Sequence, residues 1–388
     1  MRVLMLVWTG VATDTRVLRE ARALVVAGHT VHVVGRGVPD DFVPPDGVTV
    51  ASAGRPPAAQ TRGRDLTAPE RAARWALLPV HVGRRLAAWQ AQTEALARQW
   101  ADHGGRPDVV HAHDFTALPV GARLAEEWGV PLVYDTHEYW VGRPVEGRPA
   151  PLRRRREARL EAALGARAAA VVTVGEGVAR TLRADHPDWP QVVVVHNTFP
   201  ARSDDTPVAS PPRGFVYAGR LAADRELEVI AAASADIPGE VLVRGPGDAE
   251  WLSRFDPGRA RVEAAAPLDV VDAELVAAGA ALVTHSDRWP NHRLAMPNKL
   301  FHAVSLGVPV VATDVGELGA AVRRHGLGTT YRPGDAADLV RACRELAAGH
   351  AEAVARVRSA RAALSWEHDA AELVGVYASL GPPEGPLH

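Results

Sequence analysis

Three strand ends in the second half of the chain carry residues suited to holding a phosphate. In the first, YAGRLAADR, Gly219 and Arg220 leave a predicted strand and Arg225 follows five residues later. Guanidinium groups bind phosphate oxygens through paired hydrogen bonds, so these arginines predict a diphosphate site. The alternative is that they face solvent, as many arginines do in an arginine-rich chain.

The second strand end is VRGPGD, residues 243–248, with Gly245 and Gly247. Glycines let the backbone come close to a ligand, or they turn the chain. A G-x-G alone does not decide between these roles.

The third is MPNKLF, residues 296–301, which holds Lys299, the only lysine of the chain. Pro297 suits the first turn of a helix, and Gly307 suits its end. A lysine in the first turn meets the positive end of the helix dipole, which disfavours a cation by about 0.3–1 kcal/mol. The position is favourable if Lys299 and the free N–H groups share an anion. The alternative is a lysine that extends into solvent.

Composition limits the classes of protein to consider. The chain has 388 residues, which is typical of two domains, and its formal net charge of −2 argues against nucleic acid as the main partner. A single cysteine, Cys343, excludes an intramolecular disulfide and a multi-cysteine zinc site.

The hydropathy of the chain predicts a cytoplasmic protein. The N-terminal MRVLMLVWTG is typical of a buried strand and not of a signal peptide, and no apolar run reaches about 18 residues. Residues 51–105 and the arginines at 153–156 predict solvated helix surface with tryptophans packed inward. The alternative is a peripheral contact with anionic lipid at the inner face of the membrane.

The secondary structure that must position these residues follows a repeated pattern: two series of apolar strands alternate with helical patterns along the chain. The first series has strands at 2–7, 29–35, 108–113, 131–136, 169–174 and 191–196, with a helix from Thr15 to Ala27 that Gly28 caps. The second has strands at 214–219, 240–245, 260–265, 280–285, 308–313 and 328–331. Such alternation predicts parallel sheets covered on both faces, and hence two Rossmann-like domains with a cleft between them. Ligands bind beyond the carboxyl ends of such strands.

The order and spacing of these motifs resemble the GT-B-fold retaining glycosyltransferases of family 4, the group 1 type. The resemblance rests on YAGRL, AMPNKLF, GVPVVATDVGEL, TDTRVLREARALVVAGHTVHVVG, DVVHAHDFTALPVGARLA, PLVYDTHEYW and AAVVTVGEGVARTL. It implies an acceptor-binding domain at 1–198, a linker at 199–213 and a nucleotide-sugar-binding domain at 214–364. Residues 365–388 would then form a helix that returns to the N-terminal domain.

The resemblance also implies roles for residues that match the family's motifs. Arg220 and Arg225 match the basic pair on the donor diphosphate, and Lys299 with Asn298 matches the P-N-K turn of the donor site. Gly10 matches a glycine region beside the sugar and phosphates. The candidate donor-binding residues are Gly10, Gly219, Gly245, Gly247, His285, Pro297, Asn298 and His302.

Residues of the first domain match the family's sugar and acceptor positions. His113 matches a histidine close to the transferred sugar, where it would position the sugar or donate a hydrogen bond. The alternative is that His111 and His113 make their hydrogen bonds within the fold and contact no ligand. His137 and Glu138 match a T-H-E element near the acceptor, and Asp14 completes the candidate acceptor-binding set.

One position departs from the family. Its Glu-x7-Glu motif has a second glutamate that binds the donor ribose, and His302 occupies that position here, with Leu294 at the first. Histidine hydrogen-bonds a hydroxyl but cannot accept from two at once as a carboxylate does.

The resemblance implies sugar transfer from a nucleotide diphosphate sugar to a hydroxylated acceptor (glycan, lipid-linked or natural-product type) with retention at the anomeric carbon. His113, Arg220, Arg225 and Lys299 are the candidate catalytic residues, and neither a metal nor another cofactor is expected. The alternatives are a nucleotide-sugar 2-epimerase of the same fold and a non-catalytic partner subunit. The sequence lacks the glycine fingerprint of a dehydrogenase, and it shows no pair of carboxylates of the kind that a glycoside hydrolase needs.

Overall fold

The computed structural model describes residues 1–54, 67–143, 149–202 and 207–381. The chain forms two compact units. Unit 1 comprises Met1–Val174, Val178–Val195 and Ala370–His388, and unit 2 comprises Gly175–Gly177 and His196–Asp369.

A seven-stranded parallel sheet forms the centre of unit 1. Its strands are β1 (Arg2–Gly10), β2 (Thr30–Arg36), β3 (Val48–Ser52), β4 (Val109–His113), β5 (Leu132–Thr136), β6 (Ala170–Thr173) and β7 (Val192–Val194). Their order is β3-β2-β1-β4-β5-β6-β7. The order changes direction between β1 and β4, and such a switch point is where open α/β sheets bind ligands.

Five α-helices connect the strands of unit 1 among its described residues. They are α1 (Thr15–Val26), α2 (Ala68–Gly104), α3 (Asp114–Trp128), α4 (Pro151–Gly165) and α5 (Glu176–Asp185). Local sequence sets their ends. Thr67 and Glu70 form a capping box at the start of α2, and Gly129 ends α3 in the left-handed conformation at φ 67°.

Unit 2 is built on a six-stranded parallel sheet. The strands are β8 (Gly214–Ala218), β9 (Glu240–Arg244), β10 (Arg261–Glu263), β11 (Gly279–Val283), β12 (Val310–Thr313) and β13 (Gly328–Tyr331), in the order β10-β9-β8-β11-β12-β13. Its switch point lies between β8 and β11. Along β8, Val216 packs into the core on one face while Phe215 and Tyr217 pack on the other, so apolar layers cover both faces.

The helices of unit 2 are mostly short. They are α6 (Leu227–Ala233), α7 (Ala249–Leu252), α8 (Leu268–Ala278), α9 (Pro290–Leu294), α10 (Asn298–Ser305), α11 (Gly316–His325), α12 (Ala336–Ala348) and α13 (His350–Ala360). The last helix, α14 (Trp366–Ser379), begins in unit 2 and from Ala370 onward belongs to unit 1. In unit 1, the Tyr377 hydroxyl lies 2.8 Å from His111 Nδ1.

The structure departs from the predicted elements in a few places. Sequence patterning missed β3, a short strand with only one fully buried residue. Pro297 lies one residue before α10, where it caps the helix. The inward packing predicted for the tryptophans holds for Trp89, which is 2% exposed, and is wrong for Trp75, which is 51% exposed.

The segment expected as a linker, 199–213, lies in unit 2, where Val208 packs into the core. Parts of several predicted regions lie outside the described residues: 203–206 of this segment, 55–66 of the arginine-rich region, 144–148 near the acceptor motif and 382–388 of the C-terminal segment. No described helix combines the length and apolar character needed to cross a membrane.

Substitution of Gly245 tests how tightly the loops of unit 2 pack. A Cβ at this position would lie 1.8 Å from the Gly219 carbonyl oxygen, which is backbone and has little freedom to move. We expect Gly245→Ala to lower the free energy of unfolding by about 2–4 kcal/mol in urea denaturation. Gly349→Ala is the control, because its Cβ would lie 3.9 Å from the Glu345 carbonyl oxygen, an ordinary van der Waals contact, and it should change stability by less than about 0.5 kcal/mol. Equal stability of the two variants would contradict this packing.

Candidate functional site

Lys299 lies at the carboxyl end of β8. Its ammonium is 4.7 Å from the centroid of the Tyr217 ring, in cation–π range. Gly219 leaves the space for it, because a Cβ there would lie 3.2 Å from Lys299 Cδ and 3.4 Å from Nζ. The glycine in YAGRL and the lysine in MPNKLF therefore belong to one site.

The environment of Lys299 disfavours its charge. Burial, and then the positive charge of Arg225, lowers the pKa of the Lys299 ammonium to about 7, while Asp224 opposes the shift. Among the described residues no carboxylate forms a salt bridge with it. An anion placed beside Lys299 would therefore restore the charged form and be bound by it.

Arg225 is held by a neutral partner. Its Nη1 donates to His285 Nε2 at 3.0 Å, and His285 Nδ1 lies 3.2 Å from the Ser286 carbonyl oxygen. Burial, and next the charge of Arg225, lowers the pKa of His285 to about 3, so this imidazole is neutral and donates from Nδ1 to Ser286. Asp224 Oδ2 lies 3.6 Å from Arg225 Nε. His285 thus orients the guanidinium without cancelling its charge.

Backbone contacts fix the loop that carries Arg225. The Thr284 hydroxyl donates to the Arg225 carbonyl at 2.5 Å, and the Ser286 N–H donates to the Asp224 carbonyl at 3.3 Å. The loops after β8 and β11, the two strands at the switch point, are therefore tied together. Arg225, His285 and Lys299 meet at this point.

The two glycines of VRGPGD serve close packing of loops. Gly245 abuts the Gly219 backbone, and a Cβ at Gly247 would lie 2.8 Å from Leu252 Cδ1 and 3.0 Å from Leu221 Cβ. The Leu221 N–H also donates to the Pro246 carbonyl at 2.8 Å. These glycines are required by the loop geometry that surrounds Lys299.

Three other candidate donor residues lie at the same strand and helix ends. Arg220 is exposed, and its carbonyl accepts a hydrogen bond from the Tyr217 hydroxyl at 2.7 Å. Asn298 is exposed at the start of α10, and the Pro297 carbonyl accepts from the Leu300 N–H at 2.9 Å. Tyr217 therefore contacts both the Arg220 backbone, through its hydroxyl, and the Lys299 ammonium, through its ring.

His302 is engaged elsewhere. Its Nε2 lies 2.6 Å from Asp272 Oδ1 on α8, and its ring stacks on Phe199 with centroids 4.8 Å apart. Asp272 also accepts from Arg202 Nη1 at 2.9 Å. The histidine that replaces the family's glutamate is thus part of a local ion-pair group, with no hydrogen bond or ring contact to Lys299 or Arg225 in the described residues.

The first unit holds a second cluster, in which the charges are paired. His113 is fully buried, with Nδ1 3.3 Å from Asp135 Oδ2 and 3.2 Å from His137 Nε2. Arg16 Nη2 lies 3.0 Å from both oxygens of Asp135. Burial lowers the pKa of His113, although Asp135 opposes the shift. The His113 side chain is therefore neutral and enclosed.

His137 is the cation at the end of β5. Burial opposes its charge, but Asp114 and Asp135 prevail and raise the pKa of His137 to about 10. Its Nδ1 lies 3.3 Å from Asp114 Oδ2, and Asp114 Oδ1 accepts from the His137 N–H at 3.2 Å. These bonds hold Asp114 in the left-handed region, at φ 62°, which is uncommon for a residue other than glycine.

The remaining candidates of unit 1 have structural partners. Gly10 is the last residue of β1. Asp14 caps α1, since its Oδ1 accepts from the Val17 N–H at 3.2 Å. The Glu138 carbonyl accepts from the Thr136 hydroxyl at 2.5 Å, and its carboxylate lies 4.0 Å from Arg143. Asp14 therefore has a structural role independent of any acceptor.

One described group has the side chains to hold a metal ion: Glu20, His111, His113 and Asp135, whose ligand atoms lie within 4.8 Å of one another. Arg16 Nε lies 2.9 Å from Glu20 Oε1, and its guanidinium also contacts Asp135. A buried guanidinium already neutralises these carboxylates, which disfavours a further cation. That no metal is needed stays a prediction.

Sequence reasoning missed several members of both clusters. Tyr217 is the first residue of the YAGRL motif, Asp224 directly precedes Arg225, and Asp135 lies near the end of a predicted strand. Arg16 and Glu20 are spaced by four residues on one face of α1, where both are buried. This pair of opposite charges on the apolar face of a helix could have predicted a buried ion pair from the sequence.

Solved structures share this two-unit architecture. Sucrose-phosphate synthase from Thermosynechococcus elongatus superposes with a TM-score of 0.72 at 18% identity, covering 98% of this chain and 99% of that one. Anabaena HepE in complex with UDP superposes with a TM-score of 0.64 at 15% identity, with 98% and 99% coverage. The protein has the GT-B glycosyltransferase fold.

Family comparison identifies the chain more closely. The glycosyl transferase 4-like domain matches residues 12–198, and the glycosyl transferases group 1 domain matches residues 212–348. Glycogen synthase of Mycobacterium tuberculosis is 27% identical over 377 residues, covering 89% of this chain and 85% of the relative. The chain belongs to the family 4, group 1 glycosyltransferases and is an enzyme that transfers sugars.

His302→Glu tests the partner that the structure gives to position 302. The new carboxylate would face Asp272, and we expect like-charge repulsion to lower the free energy of unfolding by about 1–3 kcal/mol in urea denaturation. His302→Gln keeps a hydrogen-bond donor and should cost less than about 1 kcal/mol. Adding Asp272→Asn to His302→Glu should restore most of the loss. Wild-type stability of His302→Glu alone would show that Asp272 is not its partner.

Proposed function

We propose that this glycosyltransferase moves a sugar from a nucleotide diphosphate sugar to a hydroxylated acceptor, with retention at the anomeric carbon. The observation that carries the proposal is the pair of cations, Lys299 and Arg225, at the switch point of unit 2. Asp224 lies 3.6 Å from Arg225 Nε, and Lys299 has no salt bridge among the described residues, so the two cations share a single carboxylate and carry an excess of positive charge.

A departing diphosphate fits this charge pattern. Negative charge develops on the phosphate as the bond to the anomeric carbon breaks, and fixed cations in a water-poor site stabilise it strongly. Arg225 would donate hydrogen bonds to phosphate oxygens, and Lys299 would supply a point charge beside the N–H groups at the start of α10. The exposed Arg220 would extend the same surface. UDP in the complex of HepE, which has the same fold, agrees with a nucleoside diphosphate ligand.

Retention follows from front-side attack in this proposal. The acceptor hydroxyl oxygen forms its bond to the anomeric carbon on the face from which the diphosphate leaves, and the phosphate oxygen takes the hydroxyl proton. No enzyme nucleophile is needed. Two cations and a helix N-terminus supply the neutralisation that a divalent metal supplies in other transferases, so we propose a metal-independent reaction.

Unit 1 would bind the acceptor through the end of β5. His137 is cationic and partly exposed, and its two N–H groups are directed at Asp114 and at His113, so it would contribute positive charge beside the acceptor. Glu138 beside it can accept a hydrogen bond from an acceptor hydroxyl. His113 is enclosed, and we propose that it acts as a positioning residue that orients His137. Gly10, at the end of β1, leaves room beside this edge.

The rival within this fold is a nucleotide-sugar 2-epimerase, which would use the same cations without an acceptor. Incubation with UDP-, GDP- and dTDP-sugars, with and without candidate acceptors, separates the two when nucleotide release is followed. Acceptor-dependent release supports transfer, and conversion of the donor alone supports epimerisation. Absence of binding to all three nucleotides by calorimetry would contradict both.

Loss of either cation should slow turnover of the donor. We expect Lys299→Ala and Arg225→Ala each to reduce the rate at least about 100-fold, because each removes a stabilising charge from the developing phosphate. Arg254→Ala is the matched control: this exposed arginine of unit 2 pairs with Glu250 and should leave the rate within about twofold of wild type. Wild-type rates in both site variants would reject the assignment.

A further inference from the structure

A surface of unit 1 exposes large apolar side chains in an unusual concentration. Of the eleven large hydrophobic residues that are exposed among the described residues, six lie on two helices. They are Trp75, Leu77, Val80 and Val82 on α2, and Leu152 and Leu160 on α4. We call residues 68–85 of α2 together with residues 151–160 of α4 the α2–α4 surface. At 3.6 residues per turn, Leu77 and Val80 share one side of α2, and Trp75 and Val82 share the opposite side. Exposed apolar side chains that share one side of a helix mark a candidate interaction site.

The two helices form one surface because they are bonded to each other. Arg153 Nη1 on α4 donates to the Pro79 carbonyl on α2 at 2.7 Å, and a Cβ at Gly83 would lie 3.8 Å from the same nitrogen. Pro79 has no N–H to donate within the hydrogen-bond pattern of α2, and Arg153 donates to the carbonyl oxygen of the same proline. On α4, Leu152, Arg156 and Leu160 recur every four residues and share one face.

The same surface is strongly basic. Residues 68–85 and 151–160 contain nine arginines and only two glutamates. The glutamates are engaged: Glu70 caps α2 through Thr67, and Glu157 pairs with Arg153 at 2.6 Å. Within the described part of the chain, six exposed arginines of the surface have no salt bridge or hydrogen bond to the protein. They are Arg74, Arg84, Arg85, Arg155, Arg156 and Arg159.

We propose that the α2–α4 surface docks on an anionic lipid bilayer. Arginine beside leucine and valine suits the bilayer interface, which accepts an apolar side chain and a cation at neighbouring depths. Anionic headgroups supply the charge that the arginines lack, and acyl chains cover Leu77 and Val80, which share one side of α2 with Arg84. A second copy of this chain would bring two sets of arginines together, and nucleic acid would leave the apolar side chains in water.

Vesicle binding by the full chain tests the proposal. We expect the wild type to bind vesicles of phosphatidylcholine with about 30 mol % phosphatidylglycerol at least about tenfold more tightly than pure phosphatidylcholine, and to lose most of that preference at about 0.5 M salt. The variant Arg155→Gln/Arg156→Gln/Arg159→Gln should bind the anionic vesicles at least about tenfold more weakly. Equal binding of wild type to both vesicles would overturn the proposal.

A matched variant separates this surface from overall charge. Arg22→Gln/Arg254→Gln/Arg324→Gln removes the same three charges from exposed positions on other parts of the chain and should change binding less than about twofold. Equal losses in the two triple variants would overturn the assignment to the α2–α4 surface. Unchanged circular dichroism and thermal unfolding of both variants would exclude misfolding as the cause.

Site-specific labelling shows which residues enter the bilayer. Cys343 is fully buried and burial raises the pKa of its thiol to about 12, so an introduced cysteine reacts selectively with an environment-sensitive fluorophore. A label at Leu77→Cys should shift to the blue on anionic vesicles, and one at Val26→Cys, which is 81% exposed on α1, should not. An unshifted Leu77→Cys label, or concentration-dependent dimerisation that Trp75→Ser abolishes without any vesicle binding, would overturn the proposal.

Discussion

The Lys299 side chain is half-buried, and the neighbouring Arg225 has the same sign of charge. That arrangement lowers the pKa of the lysine to about 7, so the free protein holds the proton weakly at neutral pH. The Tyr217 ring beneath it offsets part of this cost through a cation–π contact. Neutral His285, the glycines at 219 and 245 and the start of α10 all serve to keep these groups together. A diphosphate would remove the remaining electrostatic cost.

The two units differ in how their clustered charges are paired. In unit 1, Arg16, Asp135, His137 and Asp114 form a network in which each cation contacts a carboxylate. Such a network fixes the ends of β4 and β5 and leaves little charge for a ligand. In unit 2 the cations outnumber the carboxylates beside them. This contrast is why donor binding by unit 2 and hydrogen bonding to an acceptor by unit 1 are the roles we propose.

Much of this arrangement could be predicted from local sequence. Apolar runs separated by helical patterns predicted the parallel strands, and the single lysine at a helix start singled out Lys299 as a candidate site residue. Its contact with phosphate stays a prediction. The partner of His302 could not be predicted, because Asp272 lies 30 residues away on another helix and the motif around His302 says nothing about it. The network of unit 1 was missed for the same reason: Arg16 and Asp135 are 119 residues apart. Exposure of Trp75 contradicts an amphipathicity argument, which assumes that each apolar side chain packs inside its own chain.

Lysine NMR tests the central claim most directly, because Lys299 is the only lysine and biosynthetic labelling with ¹³Cε-lysine gives a single side-chain signal. The signal of the free protein should titrate with a midpoint near 7, and saturating nucleoside diphosphate should raise that midpoint by at least about two pH units, since a bound anion favours the charged form. Arg225→Gln should raise the midpoint of the free protein as well, by removing a like charge. A midpoint near the ordinary value of 10.5 that nucleotides leave unchanged would contradict the account.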